Sequence, residues 1–386
     1  MAAAGLAVVG AALFAAGMMS EPWRGFSAGL MAAYYSISVA IGSAVVLALM
    51  HVTNAGWGTV IRRVPEAMTT WLPFGFVLLF AVTFFGMHDL YEWSHPDIVA
   101  KDALLQHKSV LLNAKGFFIR MAVILGAWTL LTWLMRRHSY AQDHDGDVKH
   151  TTANAKWATI FLIVFGLGIT MGSLDWLMSL EPHWFSTMFG VYQFAGSHKT
   201  ACAVILLTVL GLHKGGFLPQ ANANHFHDLG KMLFAFSVFW AYIWVSQYLL
   251  IWYSNIPEET GYYLLRWDHG WMALFAGNVV LNFLVPFFVL LPRPNKRNPK
   301  VLVPVAILML LGHVLDVYLQ VMPATAHFHA HHTGTVAHGP VFGLAEIGAF
   351  ALVGGLFVLV VMTMLGKAAL IPGKDPYLQE SLHHHQ

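Results

Sequence analysis

AGLMAAYYSISVAIGSAVVLALMH, residues 28–51, runs without a lysine, arginine, aspartate or glutamate. About 20 such residues at 1.5 Å rise per residue cross the roughly 30 Å of hydrocarbon in a bilayer, so the stretch reads as a membrane-spanning helix. The same reading applies to residues 2–19, 70–92, 114–135, 156–180, 188–213, 231–254, 270–291, 301–322 and 340–366, which makes ten spans. The first could be a signal peptide, but it lacks the basic residues that open one, and a retained helix is expected. Composition agrees: of 386 residues, 57% are hydrophobic and 10% charged, where a soluble domain carries roughly 25% charged. Soluble enzymes and secreted disulfide scaffolds are thereby excluded. The expected fold is an all-α integral membrane protein, a single polytopic domain over residues 1–386, with a cytoplasmic loop at 136–155 and a cytoplasmic tail at 367–386.

The formal net charge of +2 is too small to suggest a polyanionic partner, so no nucleic acid is expected. The single cysteine, Cys202, lies in an apolar run, so the chain offers no CxxCH haem attachment and no cysteine-ligated iron–sulfur cluster. Lysine and arginine are twice as frequent on one side of the ten spans as on the other, and PRPNKRNPK (292–300) marks the richer side. The positive-inside rule then places both termini in the cytoplasm. Trp23, Trp57, Trp71, Trp93, Trp184 and Trp267 sit near span ends, as an interfacial belt requires. Residues 94–113, with Ile98, Val99, Leu104 and Leu105 among charges, read as a short surface helix on the outer side.

An ionisable side chain in hydrocarbon costs about 2.5–3.5 kcal/mol on insertion scales and therefore needs a partner, a cavity or a task. The spans hold His88 and Asp89, Arg120, Asp175, His198 and Lys199, His313 and Asp316, and Glu346. Counting along each span puts these in the outer half and leaves the inner half to groups such as Ser43, Thr208, Asn278 and Asn282. His313, Asp316 and Gln320 share one helical face, which suits either a proton relay or a polar clamp between helices. Asp175 and Glu346 read as titrating or paired carboxylates, with Arg120 and Lys199 as counter-ions, and Asp89 as a candidate close to the headgroups. The proton-path candidates are thus Asp89, Asp175, His198, His313, Asp316 and Glu346. An ionisable path visible only from outside to mid-membrane predicts a half-channel.

The 22 histidines invite a haem reading, but no two helices carry facing pairs: His198 and His213 stand alone. His327, His329, His331 and His332 read as a solvated loop, with a surface metal site or a proton-collecting antenna as the alternatives. No catalytic residue and no metal ligand is assigned. An aromatic stripe, Trp240, Tyr242, Trp244, Tyr248 and Trp252, could line a quinone pocket or simply pack.

Two stretches, SLDWLMSLEPHWFSTMFGVYQFAG (173–196) and FHDLGKMLFAFSVFWAYIWVSQYLLIWYSNIPEET (226–260), resemble the F subunit of bacterial alternative complex III, within the NrfD/polysulfide-reductase membrane-subunit family. The resemblance implies two four-helix bundles, helices 2–5 and 6–9, flanked by helices 1 and 10. It implies a bacterial inner-membrane quinol:electron-acceptor oxidoreductase, with a sister ten-helix subunit, an iron–sulfur protein, c-type cytochromes and small membrane subunits as partners. Iron–sulfur clusters and c-type haems would lie in those partners, and this chain would carry no cofactor of its own, with a quinone left open. The expected role is support of proton translocation, with Asp175, His313, Asp316 and Glu346 as the implied relay. A quinone-binding redox subunit and a purely structural anchor are the alternatives; an independent transporter is disfavoured because no Gly/Pro-broken helix pair is legible.

Overall fold

The computed structural model describes residues 2–268, 270–335 and 339–385; residues 1, 269, 336–338 and 386, which the single-domain reading includes, lie outside them. Among the described residues ten helices are long and apolar enough to cross a membrane: α1 (Ala2–Ser20), α2 (Pro22–Val52), α3 (Arg63–Phe85), α4 (Ala114–Asp145), α5 (Lys149–Leu180), α6 (Phe189–Lys214), α7 (Ala223–Ser254), α8 (Trp271–Leu290), α9 (Pro299–Thr333) and α10 (Leu344–Leu365). This is the architecture of a multi-pass membrane protein. Both termini lie on one side, here the terminal face.

Helices α2 and α6 form the centre and pack against each other. Small residues make this approach close: a Cβ at Gly42 would overlap the carbonyl oxygen of Ser197. Around them, α2 packs on α3 and α5, α4 on α3 and α5, α6 on α7 and α9, and α8 on α7 and α9. Helix α1 is mostly exposed and joins the rest chiefly through α10. A Cβ at Gly10 would overlap the Leu352 backbone, and one at Gly348 the Phe14 backbone, so the two helices touch main chain to main chain.

The helix ends depart from the sequence reading in informative ways. α3 begins at Arg63 rather than near residue 70, because Arg63 and Glu66 are buried together instead of lying in a loop. It ends at Phe85 before Gly86, so His88 and Asp89 fall in a separate short helix, Met87–Leu90, with His88 exposed and Asp89 half-buried. The expected loop at 136–155 is mostly helix: α4 and α5 continue as a hairpin joined at Gly146, with Gln142 Nε2 donating to Thr151 Oγ1 at 2.7 Å. α9 runs on through Thr333, so His327, His329, His331 and His332 stand on a helix rather than a loop. The tail is also ordered: Asp375 meets Arg62, and Ser381 Oγ accepts from Val60 N and donates to Trp57 O.

Two spans are interrupted beside a proline. Pro286 has no N–H to offer the carbonyl of Asn282, and α8 widens into a π turn over Val280–Leu284. Pro73 likewise cannot donate to the carbonyl of Thr69, which accepts from Leu72 N instead as α3 tightens into a 3₁₀ turn over Thr69–Trp71.

Candidate functional site

The face read from α9 is buried as expected and becomes the centre of a polar cluster. Asp316 Oδ1 accepts from the Tyr192 hydroxyl of α6 and from Asn278 Nδ2 of α8 at 2.9 Å, while Oδ2 accepts from Trp240 Nε1 of α7 at 3.2 Å. His313 Nδ1 lies 3.8 Å from Oδ2. Among the described residues this histidine is the one ion-pair partner of Asp316. Its three hydrogen-bond donors, a phenol, an amide and an indole, are all uncharged groups.

The Ser38 hydroxyl bears on the tautomer of His313. Ser38 Oγ donates to Tyr35 O at 2.7 Å, and the same oxygen lies 3.0 Å from His313 Nε2. One hydroxyl has one proton, so with that proton on Tyr35 O a neutral imidazole would hold its hydrogen on Nε2, facing Ser38. In that tautomer Nδ1 is a lone pair, and it is buried without a hydrogen-bond partner 3.8 Å from Asp316 Oδ2. The arrangement has a vacant seat for one proton between an imidazole and a carboxylate.

The π turn supplies the next layer. Asn282 Nδ2 reaches Asn278 Oδ1 at 2.6 Å and Gly312 O at 2.9 Å, and Asn282 Oδ1 accepts from Lys199 Nζ. A Cβ at Gly312 would come 2.7 Å from Asn282 Oδ1, so only glycine leaves room for this amide. Lys199, fully buried, also rests over the Trp240 ring at 4.6 Å and acts electrostatically on Asp316. On the other flank, Tyr34 donates to Gln193 at 2.9 Å and Gln193 to Gln320 at 2.6 Å. Asn278 and Asn282, assigned by counting to the inner half, thus belong to the Asp316 cluster.

The remaining candidates lie elsewhere. Asp175 takes two hydrogen bonds from Arg120, at 2.6 and 2.9 Å. Glu346 takes two from Arg24, both 2.7 Å, and caps α10 by accepting from Gly343 N at 2.7 Å. Both geometries are bidentate charge pairs that hold helices together, which is what an anchor needs rather than a relay. His198 packs on Phe236 with ring centroids 3.9 Å apart and does not join the cluster. Of the α7 stripe, Trp240, Trp244 and Tyr248 stack inward, while Tyr242 and Trp252 are exposed, so the five do not form one pocket.

A second buried charged cluster lies at the terminal end of α3. Glu66 is fully buried there between Arg63 at 2.6 Å and Arg62 at 3.4 Å, and accepts from Ser139 Oγ at 2.6 Å. Arg63 also pairs with Asp143, and Arg62 with Asp375 at 2.6 Å. The RRxxE spacing, which puts arginines three and four residues from a glutamate, was the available signal.

On the opposite face, the short helix Pro257–Trp267 turns Tyr262, Tyr263 and Arg266 inward over Asp316. Burial opposes the charge of Arg266, yet Glu181 and the flanking tyrosines outweigh it and leave the guanidinium pKa above its ordinary value. Burial also pushes the Tyr263 phenol up to about 12. The α9 histidines disperse: His329 stacks on Trp23 at 4.8 Å and His332 lies 5.3 Å from His95. Among the described residues no group of three or more His, Cys, Asp and Glu is placed to hold a metal ion. No protein-family model matches the chain, and no curated protein matches it.

Proposed function

We propose that this chain is an accessory membrane subunit of a bacterial quinol:electron-acceptor oxidoreductase of the alternative complex III type, and that Asp316 with His313 takes up and releases a proton for it. The observation that carries the proton role is His313 Nδ1, buried without a hydrogen-bond partner 3.8 Å from a carboxylate that no arginine holds. Protonation there turns a lone pair into an N–H aimed at Asp316, and no charge pair has to break. Its partners in this reading are a sister ten-helix subunit, an iron–sulfur protein, c-type cytochromes and small membrane subunits, with clusters and haems in those chains. The setting is the bacterial inner membrane with both termini cytoplasmic. The likeness of residues 173–196 and 226–260 to that family supports the assignment. Two four-helix bundles, α2–α5 and α6–α9, belong to the same reading, supported by the closed rings of contacts among those helices.

Purification in mild detergent, with identification of the co-migrating chains, tests the assembly: solitary migration would sink it. For the proton role, Asp316→Asn in the assembled complex should leave electron transfer intact while lowering proton release per quinol in sealed vesicles. An unchanged stoichiometry counts against it.

A quinone-binding reading is favoured by one feature, an apolar cavity of about 290 Å³ between α2, α6, α9 and α10 whose wall includes Tyr35. The Tyr35 ring packs 5.2 Å from that of His313. The lining suits an isoprenoid tail better than a quinone head, because Tyr35, Ser36 and Thr208 already spend their hydroxyl protons on Leu310 O, Ala33 O and Val204 O. Crosslinking of a photoreactive quinone to α2 or α10 would support it, and labelling confined to partner chains would remove it.

A further inference from the structure

Two cavities lie one above the other on the way from the opposite face to Asp316. The upper is a vestibule of about 430 Å³, with Glu92, Glu181, Glu258, His327 and His331 in its wall. The lower has about 20 Å³ of space, room for a single water, and is lined by Asp316, Asn278, Gln320, Tyr192 and Arg266. Gln320 Nε2, buried and without a hydrogen-bond partner, belongs to this lower lining. Tyr262 lines both cavities, so its ring is part of the septum between them.

The septum is built as a plug. The Arg266 guanidinium lies 3.4 Å from the centroid of the Tyr262 ring, and that ring stacks on Trp184 at 4.1 Å. Arg266 donates to Leu319 O at 2.8 Å and Tyr262 O at 2.7 Å, and reaches Glu181 Oε1 at 2.6 Å. It also donates to Gln320 O at 3.4 Å, so its hold on the bundle has two parts, bonds to two α9 carbonyls and an ion pair with the α5–α6 connector. Plug residues Tyr262 and Arg266 ride on Pro257–Trp267, an eleven-residue helix set between Asn255 at φ 49° and Gly270 at φ 86°. Left-handed residues on both sides let this helix fold back across the bundle as a unit, joined to α7 and α8 by short connections.

We infer that the helix Pro257–Trp267 is a lid, and that the Arg266–Glu181 pair is the latch which closes the route from the vestibule to Asp316. With the latch closed, a fixed positive charge and three stacked planar groups separate the acidic vestibule from the buried carboxylate. Opening breaks the Arg266–Glu181 pair, the Tyr262–Trp184 stack, the Arg266 bonds to Leu319 O and Gln320 O and the Gln247–Tyr263 bond, leaves α7 and α8 in place, and connects the lower water site to the outside. The inference rests on Asp316 being the group served, and its test measures access rather than proton transfer.

The test uses the full chain with Cys202→Ala, which removes the single native thiol, and Leu319→Cys as a reporter in the lower cavity wall. The rate of reaction with a small water-soluble methanethiosulfonate is measured in the reconstituted protein. Glu181→Gln, which keeps the side-chain shape and removes the latch charge, should speed labelling about tenfold by shifting the lid towards open. Arg266→Gln should do so at least as strongly. Should Arg266→Gln fail to fold, Glu181→Gln decides alone. A labelling rate that Glu181→Gln leaves unchanged overturns the lid. Failure of the proton role would look different: labelling would still respond to the latch while Asp316→Asn left proton release untouched.

Discussion

Asp175 and Asp316 are both buried carboxylates on spanning helices, one among α2–α5 and one among α6–α9, yet they are kept in opposite ways. Asp175 is clasped by Arg120 through two charge-assisted hydrogen bonds, and Glu66 by two arginines, so on that side each negative charge has its positive charge in contact. Asp316 is held by a phenol, an indole and an amide, with an imidazole 3.8 Å away and Lys199 diverted to Asn282. A carboxylate clasped by arginine is costly to protonate, because the guanidinium would then be stranded. One held by neutral donors can gain or lose a proton with its neighbours in place. The contrast teaches that burial of a charge does not mark function by itself; the chemistry of its partners does.

The contrast can be broken at several points. Arg120→Met should cost about 3 kcal/mol by stranding Asp175, seen as a large fall in thermal stability in detergent, and Arg120→Met with Asp175→Leu should recover most of it. A single variant as stable as the parent would show that the clasp is not structural. Gly312→Ala should cost about 2 kcal/mol, since the new methyl displaces the Asn282 amide and with it the support of Lys199 and Asn278. Asp316→Asn should cost about 1–2 kcal/mol, because Asn keeps an acceptor for Tyr192 and Asn278 but leaves the Trp240 indole N–H without one. In pH-difference infrared spectra it should remove a carboxyl band that Asp175→Asn leaves in place; the reverse pattern would exchange the roles of the two residues.

The smallest effect belongs to the surface. Asp102 caps the short helix Ala103–Lys108 and bonds His183, and its pKa is held below the ordinary carboxylate value first by His183 and then by the backbone amides of Leu105 and Leu104. A lowered folded-state pKa means that this contribution is complete above the unfolded value of about 3.9 and fades as pH falls through the folded value. Asp102→Asn should raise proteolysis of the 94–113 segment modestly at neutral pH. At acid pH, below both values, parent and variant should converge.

The spans and the α9 face were legible because both rest on simple periodicity: long charge-free runs, and three polar residues on one side of a helix. What sequence counting missed was the grouping of Asn278 and Asn282 with Asp316: the two amides stand one turn apart on α8 while the carboxylate lies on α9, so no local pattern joins them. Hydropathy alone also pushed Arg62, Arg63 and Glu66 into a loop, since it scores each charge singly and cannot see that the three neutralise one another. Arg24 was out of reach for another reason: its partner Glu346 is 322 residues away.

The main-chain seam between α1 and α10 sets an order on synthesis. During insertion α1 enters the bilayer long before its partner exists, and it must wait among lipids while the eight helices between them are made. Its sequence suits that wait, since it carries no charge and is apolar on all sides. When α10 arrives, Gly10 and Gly348 let the two backbones meet at once, with few side chains to rearrange. Closing this seam is therefore a late event of biogenesis, and a bulky residue at either glycine would leave a chain that is fully inserted but never completed.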